Sequence, residues 1–253
     1  MIAMDRRRAE QEFHDRQAAE RAAARPDLRF EDAEYLDHET WVRPAFARLG
    51  DLRGRSVLDY GCGHGMAAVV LARAGAKVTA CDLSPGYVDE AQARAEANGV
   101  RVECLAADGE EMPFADASFG AVWGSAILHH LDMRRAGREL HRVLKPGGVA
   151  VFCEPWGGNP LLAFARRWLP YPNKERTPDE RPLVRRDLLP LRELFESVKY
   201  EGFQLLGMVR RAFRNSRASG KSTWINAFDA GLLARVPPLA NWCRYVVIEL
   251  RKQ

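Results

Sequence analysis

A glycine-rich turn follows a short apolar run early in the chain. Residues 59–65 read DYGCGHG and come directly after Ser-Val-Leu. A strand that runs into glycines and then into a helix is typical of a nucleotide site, because such a turn lets a ligand approach the backbone closely. Gly61, Gly63 and Gly65 alternate with larger residues, and Met66 stands where a dinucleotide fingerprint has its third glycine. The turn predicts a nucleotide ligand without identifying it.

Three aspartates stand where three successive apolar runs end. Asp59 precedes the glycines, Asp82 follows the run 76–81, and Asp108 follows the run 100–106. Because the carboxyl ends of parallel strands meet at one edge of a sheet, we expect these three side chains near one ligand. The carboxylate of Asp82 can accept hydrogen bonds from both hydroxyls of a ribose, and that of Asp108 from an adenine amino group. NAD and S-adenosylmethionine both carry these groups.

The elements that position these acids alternate between strand and helix patterns. Predicted strands cover 56–59, 76–81, 100–106, 119–123 and 149–154, and predicted helices cover 66–73, 84–98 and 132–144. This alternation is typical of a parallel sheet with helices on both faces, whose ligand lies at the carboxyl ends of the strands. We predict an α/β, Rossmann-like fold with a seven-stranded, mostly parallel sheet.

Segments on either side of this region complete the predicted organisation. Residues 1–50 form an N-terminal helical lid with helices at 5–25 and 37–49, and residues 51–154 form the nucleotide-binding core. Residues 155–200 form an insertion after the fifth strand, at the ligand edge, which shapes a substrate pocket. Residues 201–253 supply two more strands of the same domain, at 203–209 and 245–250.

From about Arg55 to Glu154 the chain resembles the class I S-adenosylmethionine-dependent methyltransferases of small-molecule type, which include the ubiquinone and menaquinone methyltransferases. The matching stretches are VLDYGCGHG (57–65), VTACDLS (78–84), AADGEEMPF (106–114), SFG (118–120), ILHHL (127–131) and VLKPGGVAV (143–151). They occur in the family's order and spacing. One position departs, since Gly120 stands where the family usually has aspartate.

The resemblance implies S-adenosylmethionine as the cofactor and gives its methionine end a set of contacts. Gly61, Cys62 and Gly63 form the turn against which the methionine part lies. Asp59 orients that turn through hydrogen bonds. Ser125, after the fourth predicted strand, faces the same end of the cofactor through its backbone carbonyl.

The resemblance also implies contacts for the nucleoside end of the cofactor. Asp82 holds the ribose hydroxyls, and Leu83 packs against the adenine. Asp108 accepts from the adenine amino group, with Gly109 beside it. These assignments leave the acceptor of the methyl group unspecified.

Methyl transfer from a sulfonium requires alignment and a dry site, and a base only where the acceptor must lose a proton. Four side chains are candidates for that base: His129 and His130 after the fourth strand, Glu154 at the end of the fifth, and His14 on the first helix. Successive helical residues point about 100° apart, so at most one histidine of the pair faces the acceptor. Helix capping, turn stabilisation and a surface helix position are the structural alternatives. The side chains that follow the fourth strand, His129 and His130 among them, do not predict a metal-binding site.

The segment 166–182 is the least similar to the family and is expected to shape the acceptor pocket. Its arginines favour an acidic acceptor, and Trp156, Trp168 and Tyr171 favour a flat or lipid-like one. A solvated charged loop and ordinary aromatic packing are the alternatives.

Composition restricts the class of acceptor. The chain has 253 residues, a net charge of +4 and 28% charged residues, which is less basic than a nucleic-acid-binding surface requires. A small organic acceptor, in natural-product or quinone-like biosynthesis, is therefore the main prediction, with no nucleic-acid partner. Two alternatives remain open, namely an RNA or protein methyltransferase and a cofactor-binding relative that transfers no methyl group.

The cysteines and the hydropathy of the chain bear on where in the cell the protein is expected. The five cysteines include no Cys-x-x-Cys pair, and no secretory signal precedes them, so we expect a reducing, cytoplasmic setting. No apolar run approaches the ~18 residues of a membrane span. Peripheral membrane contact through the apolar run 232–239 is left open, as is the oligomeric state.

Overall fold

A seven-stranded sheet forms the centre of the computed structural model, which describes residues 2–24, 26–160, 162, 164, 181–206 and 223–253. The strands are β1 (Ser56–Tyr60), β2 (Lys77–Asp82), β3 (Val102–Ala106), β4 (Phe119–Ser125), β5 (Leu144–Pro155), β6 (Ser197–Phe203) and β7 (Tyr245–Arg251). Their order is β3-β2-β1-β4-β5-β7-β6, and β7 runs antiparallel to both of its neighbours. The other pairings are parallel, which confirms the predicted mostly parallel sheet.

Helices cover both faces of this sheet. They are α1 (Ile2–Ala23), α2 (Asp32–Leu36), α3 (Val42–Ala47), α4 (Met66–Arg73), α5 (Pro85–Ala97), α6 (Met133–Val143), α7 (Leu189–Arg192) and α8 (Thr223–Arg235). Neighbouring strand residues Val57 and Leu58 belong to two separate buried clusters, the first shared with α3, α4 and α5 and the second with α6 and α7. Across the described residues, no helix has the length and apolarity needed to cross a bilayer.

Two helices begin at the ligand edge with side-chain caps. The Ser84 hydroxyl accepts a hydrogen bond from the Tyr87 amide at 3.2 Å and so starts α5 directly after β2. The Asp132 carboxylate accepts from the amides of Arg134 and Arg135, each at 3.0 Å, and starts α6. Each cap fixes the residue at which its helix begins. The loop between the strand and that helix is therefore held at the carboxyl end of the strand.

Helix α1 lies across the carboxyl edge of the sheet and is attached to α5. Arg21 makes a two-pronged ion pair with Glu90, at 3.1 and 2.9 Å. The Tyr87 hydroxyl donates to the Gln17 side chain at 3.1 Å, and the Ser84 hydroxyl donates to Asp15. Three side chains of α1 thus bind one face of α5, which keeps α1 above the strand ends.

Two sequence predictions were wrong in their bounds. The helix expected at 37–49 is replaced by α2, a turn and the shorter α3. Pro44 explains this, because proline is tolerated in the first turn of a helix and breaks a helix interior. The strand expected at 203–209 lies earlier, as β6, so it begins inside the predicted insertion 155–200. Residues 207–209 and 165–180 lie outside the described part of the chain.

The glycine-rich turn contains three glycines in the left-handed region, Gly61, Gly63 and Gly65, and the last two have different surroundings. Gly65 has φ +82°, and a Cβ there would lie 2.6 Å from Ala91 of α5. Gly63 has φ +49°, and a Cβ there would meet nothing within 4 Å. The backbone conformation favours glycine at both positions, and packing against α5 requires it only at Gly65.

Alanine at these two positions separates conformational strain from packing. Gly63→Ala should cost about 1 kcal/mol of stability, for the left-handed backbone alone. Gly65→Ala should cost about 2–4 kcal/mol, because a clash with Ala91 adds to that strain. Thermal melting of both variants beside the wild type measures the difference. Equal melting temperatures for the two variants would contradict the close packing of the turn on α5.

Candidate active site

A cavity of about 440 Å³ lies at the carboxyl ends of β1, β2 and β4, beneath α1. All of the predicted cofactor residues line it, together with two of the predicted catalytic candidates: Asp59, Gly61, Cys62, Gly63, Asp82, Leu83, Asp108, Gly109, Ser125, His14 and His130. The parallel strands bring these segments together because each one follows a strand that ends at the same edge.

Asp82 connects the glycine-rich turn to the end of β2. Its Oδ2 accepts from the Gly63 amide at 2.8 Å, and its Oδ1 accepts from the Ser84 amide at 3.0 Å. On the far side of the turn, Arg94 of α5 donates to the His64 carbonyl at 2.7 Å. Burial raises the pKa of Asp82 despite these hydrogen bonds. The turn is therefore held from both sides before any ligand binds.

Asp59 is the most deeply buried of the three aspartates, with 2% of its surface exposed. The Ala68 amide donates to its carboxylate, and its Oδ2 is buried without a hydrogen-bond partner. Burial, with a further contribution from the charge of Asp82, raises the pKa of Asp59 to about 7. An unsatisfied carboxylate oxygen of this kind favours a cation or a hydrogen-bond donor in the cavity.

Asp108 has a partner that the sequence did not predict. Arg7 of α1 lies 2.6 Å from the Oδ2 of Asp108 and donates to Glu110 at 2.9 Å. The hydrogen bond to Glu110 and the charges of both acids raise the pKa of this guanidinium, in spite of its partial burial. Arg7 therefore binds α1 to the loop after β3 and neutralises part of its charge.

The cavity as a whole is acidic. Among the lining residues that the structure describes, five carboxylates face one arginine, Arg7, and no lysine: Glu10, Asp59, Asp82, Asp108 and Glu110. A pyrophosphate would be repelled by such a lining, whereas a cationic ligand would be attracted. This charge distribution distinguishes between two nucleotide classes that the acids at the strand ends left open.

The histidine pair after β4 splits between two environments. His130 lines the cavity, whereas His129 turns away from it and its Nδ1 lies 2.8 Å from Glu154. Glu154 is fully buried and also accepts from the amides of Ile127 and Leu128, at 2.9 and 2.8 Å. Neither His129 nor Glu154 lines the cavity, so this geometry favours a positioning role for both instead of the predicted role as a base.

The first helix brings further side chains to the cavity. His14 lines it, as the lid hypothesis expects, and lies on the same face of α1 as Glu10 and Arg7. The spacing of these three residues, at intervals of three and four, is the signal that sequence reasoning missed. Tyr35 and His38, after the lid helix, also line the cavity and were not predicted.

Trp156 does not form the aromatic wall that the sequence suggested. Its side chain is fully buried and stacks on Tyr200 of β6, with ring centroids 5.5 Å apart. The backbone of Trp156 also forms a parallel β-bridge with Leu183. The other two aromatic residues of that prediction, Trp168 and Tyr171, lie outside the described residues.

Comparison with known proteins identifies the region that carries this cavity. Residues 58–152 match the family model described as a methyltransferase domain. This similarity to methyltransferase domains covers less than half of the 253 residues. The resemblance predicted from the motifs is thereby confirmed for the core, and α1 with its cavity residues lies outside the matched region of that domain.

Two curated relatives match less than half of this chain. The chain is 42% identical over 107 residues to the malonyl-[acyl-carrier protein] O-methyltransferase of Pseudescherichia vulneris, covering 42% of this chain and 41% of that protein. It is 38% identical over 117 residues to the demethylmenaquinone methyltransferase of Clavibacter sepedonicus, covering 46% of this chain and 47% of that protein. The matched part spans less than half of either relative.

The fold extends over most of the chain. The crystal structure of the [4+2]-cyclase SpnF superposes with a TM-score of 0.56 at 24% identity and covers 85% of this chain and 83% of that one. The methyltransferase domain and its flanking helices therefore share a known Rossmann-like architecture.

The raised pKa of Asp59 predicts a pH-dependent stability. The fold favours the protonated carboxyl, so this group stabilises the protein fully below its ordinary value of 3.8, and that stabilisation is lost as pH rises towards about 7. Asp59→Asn should therefore gain about 2–4 kcal/mol relative to the wild type between about pH 5 and about pH 8. Chemical denaturation at both pH values measures this gain. Asp89→Asn, at an exposed position of α5, is the matched control and should show none.

Truncation of Glu154 tests its role beneath the cavity. Glu154→Ala leaves two backbone amides and the His129 ring without their acceptor, and should destabilise the protein by about 3–5 kcal/mol. Glu201→Ala removes a surface carboxylate that pairs with Arg48, and should cost less than about 1 kcal/mol. Thermal melting compares the two. A Glu154 variant as stable as the Glu201 variant would show that this carboxylate does not support the turn.

Proposed function

We propose that this chain transfers a methyl group from S-adenosylmethionine to a small organic acceptor by in-line displacement. The proposal rests chiefly on one observation: the glycine-rich turn and the three strand-end aspartates surround a single acidic cavity in a methyltransferase domain. S-adenosylmethionine carries a sulfonium and an ammonium group, and so suits that lining better than the anionic pyrophosphate of NAD.

The proposed cofactor contacts follow from free acceptor positions in the cavity. Each carboxylate oxygen has two lone pairs, so Asp82 can hold the ribose hydroxyls while it retains the Gly63 amide. The unpartnered oxygen of Asp59 supports an interaction with the cationic methionine end. Asp108 can accept from the adenine amino group when Arg7 shares it or keeps only its contact with Glu110.

Catalysis in this proposal depends mainly on alignment. The sulfonium is already an activated donor, so the cavity has to exclude water and orient the acceptor. Where the acceptor must lose a proton, His130 and His14 are the candidate bases, because both line the cavity. His129 and Glu154 then act through His130, by fixing the short helix Leu128–His130.

The acceptor is proposed only as a class. The two curated relatives are named for an acyl-carrier-protein-linked malonyl group and for demethylmenaquinone, both organic acceptors in biosynthesis. The predicted acceptor segment 166–182 lies mostly outside the described residues. Five free cysteines, four of them buried, support a reducing, cytoplasmic setting. The proposal includes no nucleic-acid partner.

A calorimetric titration with S-adenosylmethionine, S-adenosylhomocysteine and NAD tests the cofactor. We expect the first two to bind and NAD not to bind. Asp82→Ala should weaken binding by about 10–100-fold, because hydrogen bonds to a charged acceptor contribute about 1.5–3 kcal/mol. Asp89→Ala, on the exposed side of α5, should bind as the wild type does.

Each outcome has a definite meaning. Binding of NAD in place of S-adenosylmethionine would overturn the proposal, as would equal binding by the two aspartate variants. Binding followed by no transfer of labelled methyl groups to a panel of hydroxylated, aminated and quinone-like acceptors would favour a cofactor-binding relative without transferase activity.

A further inference from the structure

Glu10, His14 and His130 form a compact group at the cavity, where α1 meets the loop after β4. Each offers one ligand atom, and these three atoms lie within 4.8 Å of one another. The Oε2 of Glu10 lies 2.9 Å from the Nδ1 of His130 and 3.7 Å from the Nε2 of His14. The group is well enclosed, with side chains that are 9%, 24% and 12% exposed for Glu10, His14 and His130.

Pairwise contacts within this group do not give every ring nitrogen a well-formed hydrogen bond. The Nδ1 of His130 is buried without a hydrogen-bond partner, although the Glu10 carboxylate lies close to it. In the neutral tautomer that carries its proton on Nε2, this nitrogen offers its lone pair to a third atom. The two imidazole rings stand nearly perpendicular, at 74°, with centroids 5.6 Å apart, so they approach the carboxylate from different directions.

The separations match those of ligands around one small cation. Ligand atoms at about 2.0–2.1 Å from a tetrahedral metal lie about 3.3 Å from one another. The distances of 2.9 and 3.7 Å from Glu10 to the two histidines lie on either side of that value. Small side-chain rotations would bring all three atoms onto a single ion.

We propose that Glu10, His14 and His130 bind a divalent transition-metal ion. Two imidazoles and one carboxylate favour Zn²⁺ and similar ions over Mg²⁺ or Ca²⁺, which prefer oxygen ligands only. Three protein ligands leave at least one coordination position open to the cavity, as in a catalytic site and unlike a closed structural one. The residues after the fourth strand alone predict no metal site. Glu10 and His14 are distant from His130 in sequence, and only the fold brings them to it.

Such an ion would connect the lid helix to the core. Glu10 and His14 are four residues apart on one face of α1, and His130 belongs to the short helix that Glu154 supports. Metal binding should therefore stabilise the closed position of α1. As a consequence that rests on the proposed function, the open position would bind an oxygen of the acceptor and lower its pKa, which favours hydroxylated acceptors.

The test is metal binding by the full chain, and it needs no knowledge of the acceptor. Chelator-treated protein is titrated calorimetrically with Zn²⁺, and with Co²⁺ while the visible absorption of the bound ion is recorded. We expect one high-affinity ion per chain, a Co²⁺ spectrum of low coordination number, and a higher melting temperature with metal than without. Glu10→Gln and His130→Gln should each weaken binding at least about tenfold and abolish the metal-dependent rise in melting temperature.

Matched controls separate this site from adventitious binding. Glu12→Gln changes an exposed carboxylate of the same helix, and His38→Gln changes a histidine of the same cavity outside the group. Both should bind metal as the wild type does. No binding by the wild type, or equal losses in the controls, would overturn the proposal. Melting of the metal-free variants shows whether they are folded, and S-adenosylmethionine titration of the same proteins reports separately on the proposed function.

Discussion

The crowding of carboxylates at one edge of the sheet is the constraint on which the rest of this structure depends. Parallel strands deliver Asp59, Asp82 and Asp108 to the same cavity, where low solvent access makes each negative charge costly. Three features of the fold reduce this cost. Backbone amides donate to Asp82, burial favours the protonated form of Asp59, and Arg7 of α1 pairs with Asp108. The lid helix is therefore part of the electrostatic balance of the cavity as well as its cover.

Much of the floor of the site could be predicted from the sequence because its causes are local. The glycine-rich turn, the acids that end the strands, and the caps Ser84 and Asp132 all act within a few residues of their own position. The topology of a parallel sheet then brings them together without further information. Asp59, Asp82, Asp108 and the glycines of the turn were found in this way, whereas Cys62, Leu83, Gly109, Ser125 and the choice of S-adenosylmethionine came from the resemblance to the methyltransferases. The acidic lining of the cavity agrees with that choice.

The rest depends on contacts between distant segments, which a single sequence does not reveal. Glu154 was a candidate base by its place at a strand end, and only its three donors show that it supports the turn. Arg7 was one of many arginines until its contact with Asp108 was known. Strand β6 was misplaced because its alternating pattern, SVKYEGF, is that of a half-exposed edge strand, and the more apolar run that follows attracted the prediction.

Under the proposed function, the division between floor and lid separates the groups that bind the cofactor from those that meet the acceptor. The floor lies within residues 58–152, the part that matches the methyltransferase family, whereas Arg7, Glu10 and His14 lie outside it. The proposed cofactor contacts thus come from the ends of the parallel strands. Groups that face the other side of the cavity come from α1, which side chains such as Arg21 and Gln17 attach to α5. Under the proposed function, acceptor choice should therefore depend mainly on residues outside the matched region, and α1 contributes Arg7, Glu10 and His14 of these to the cavity.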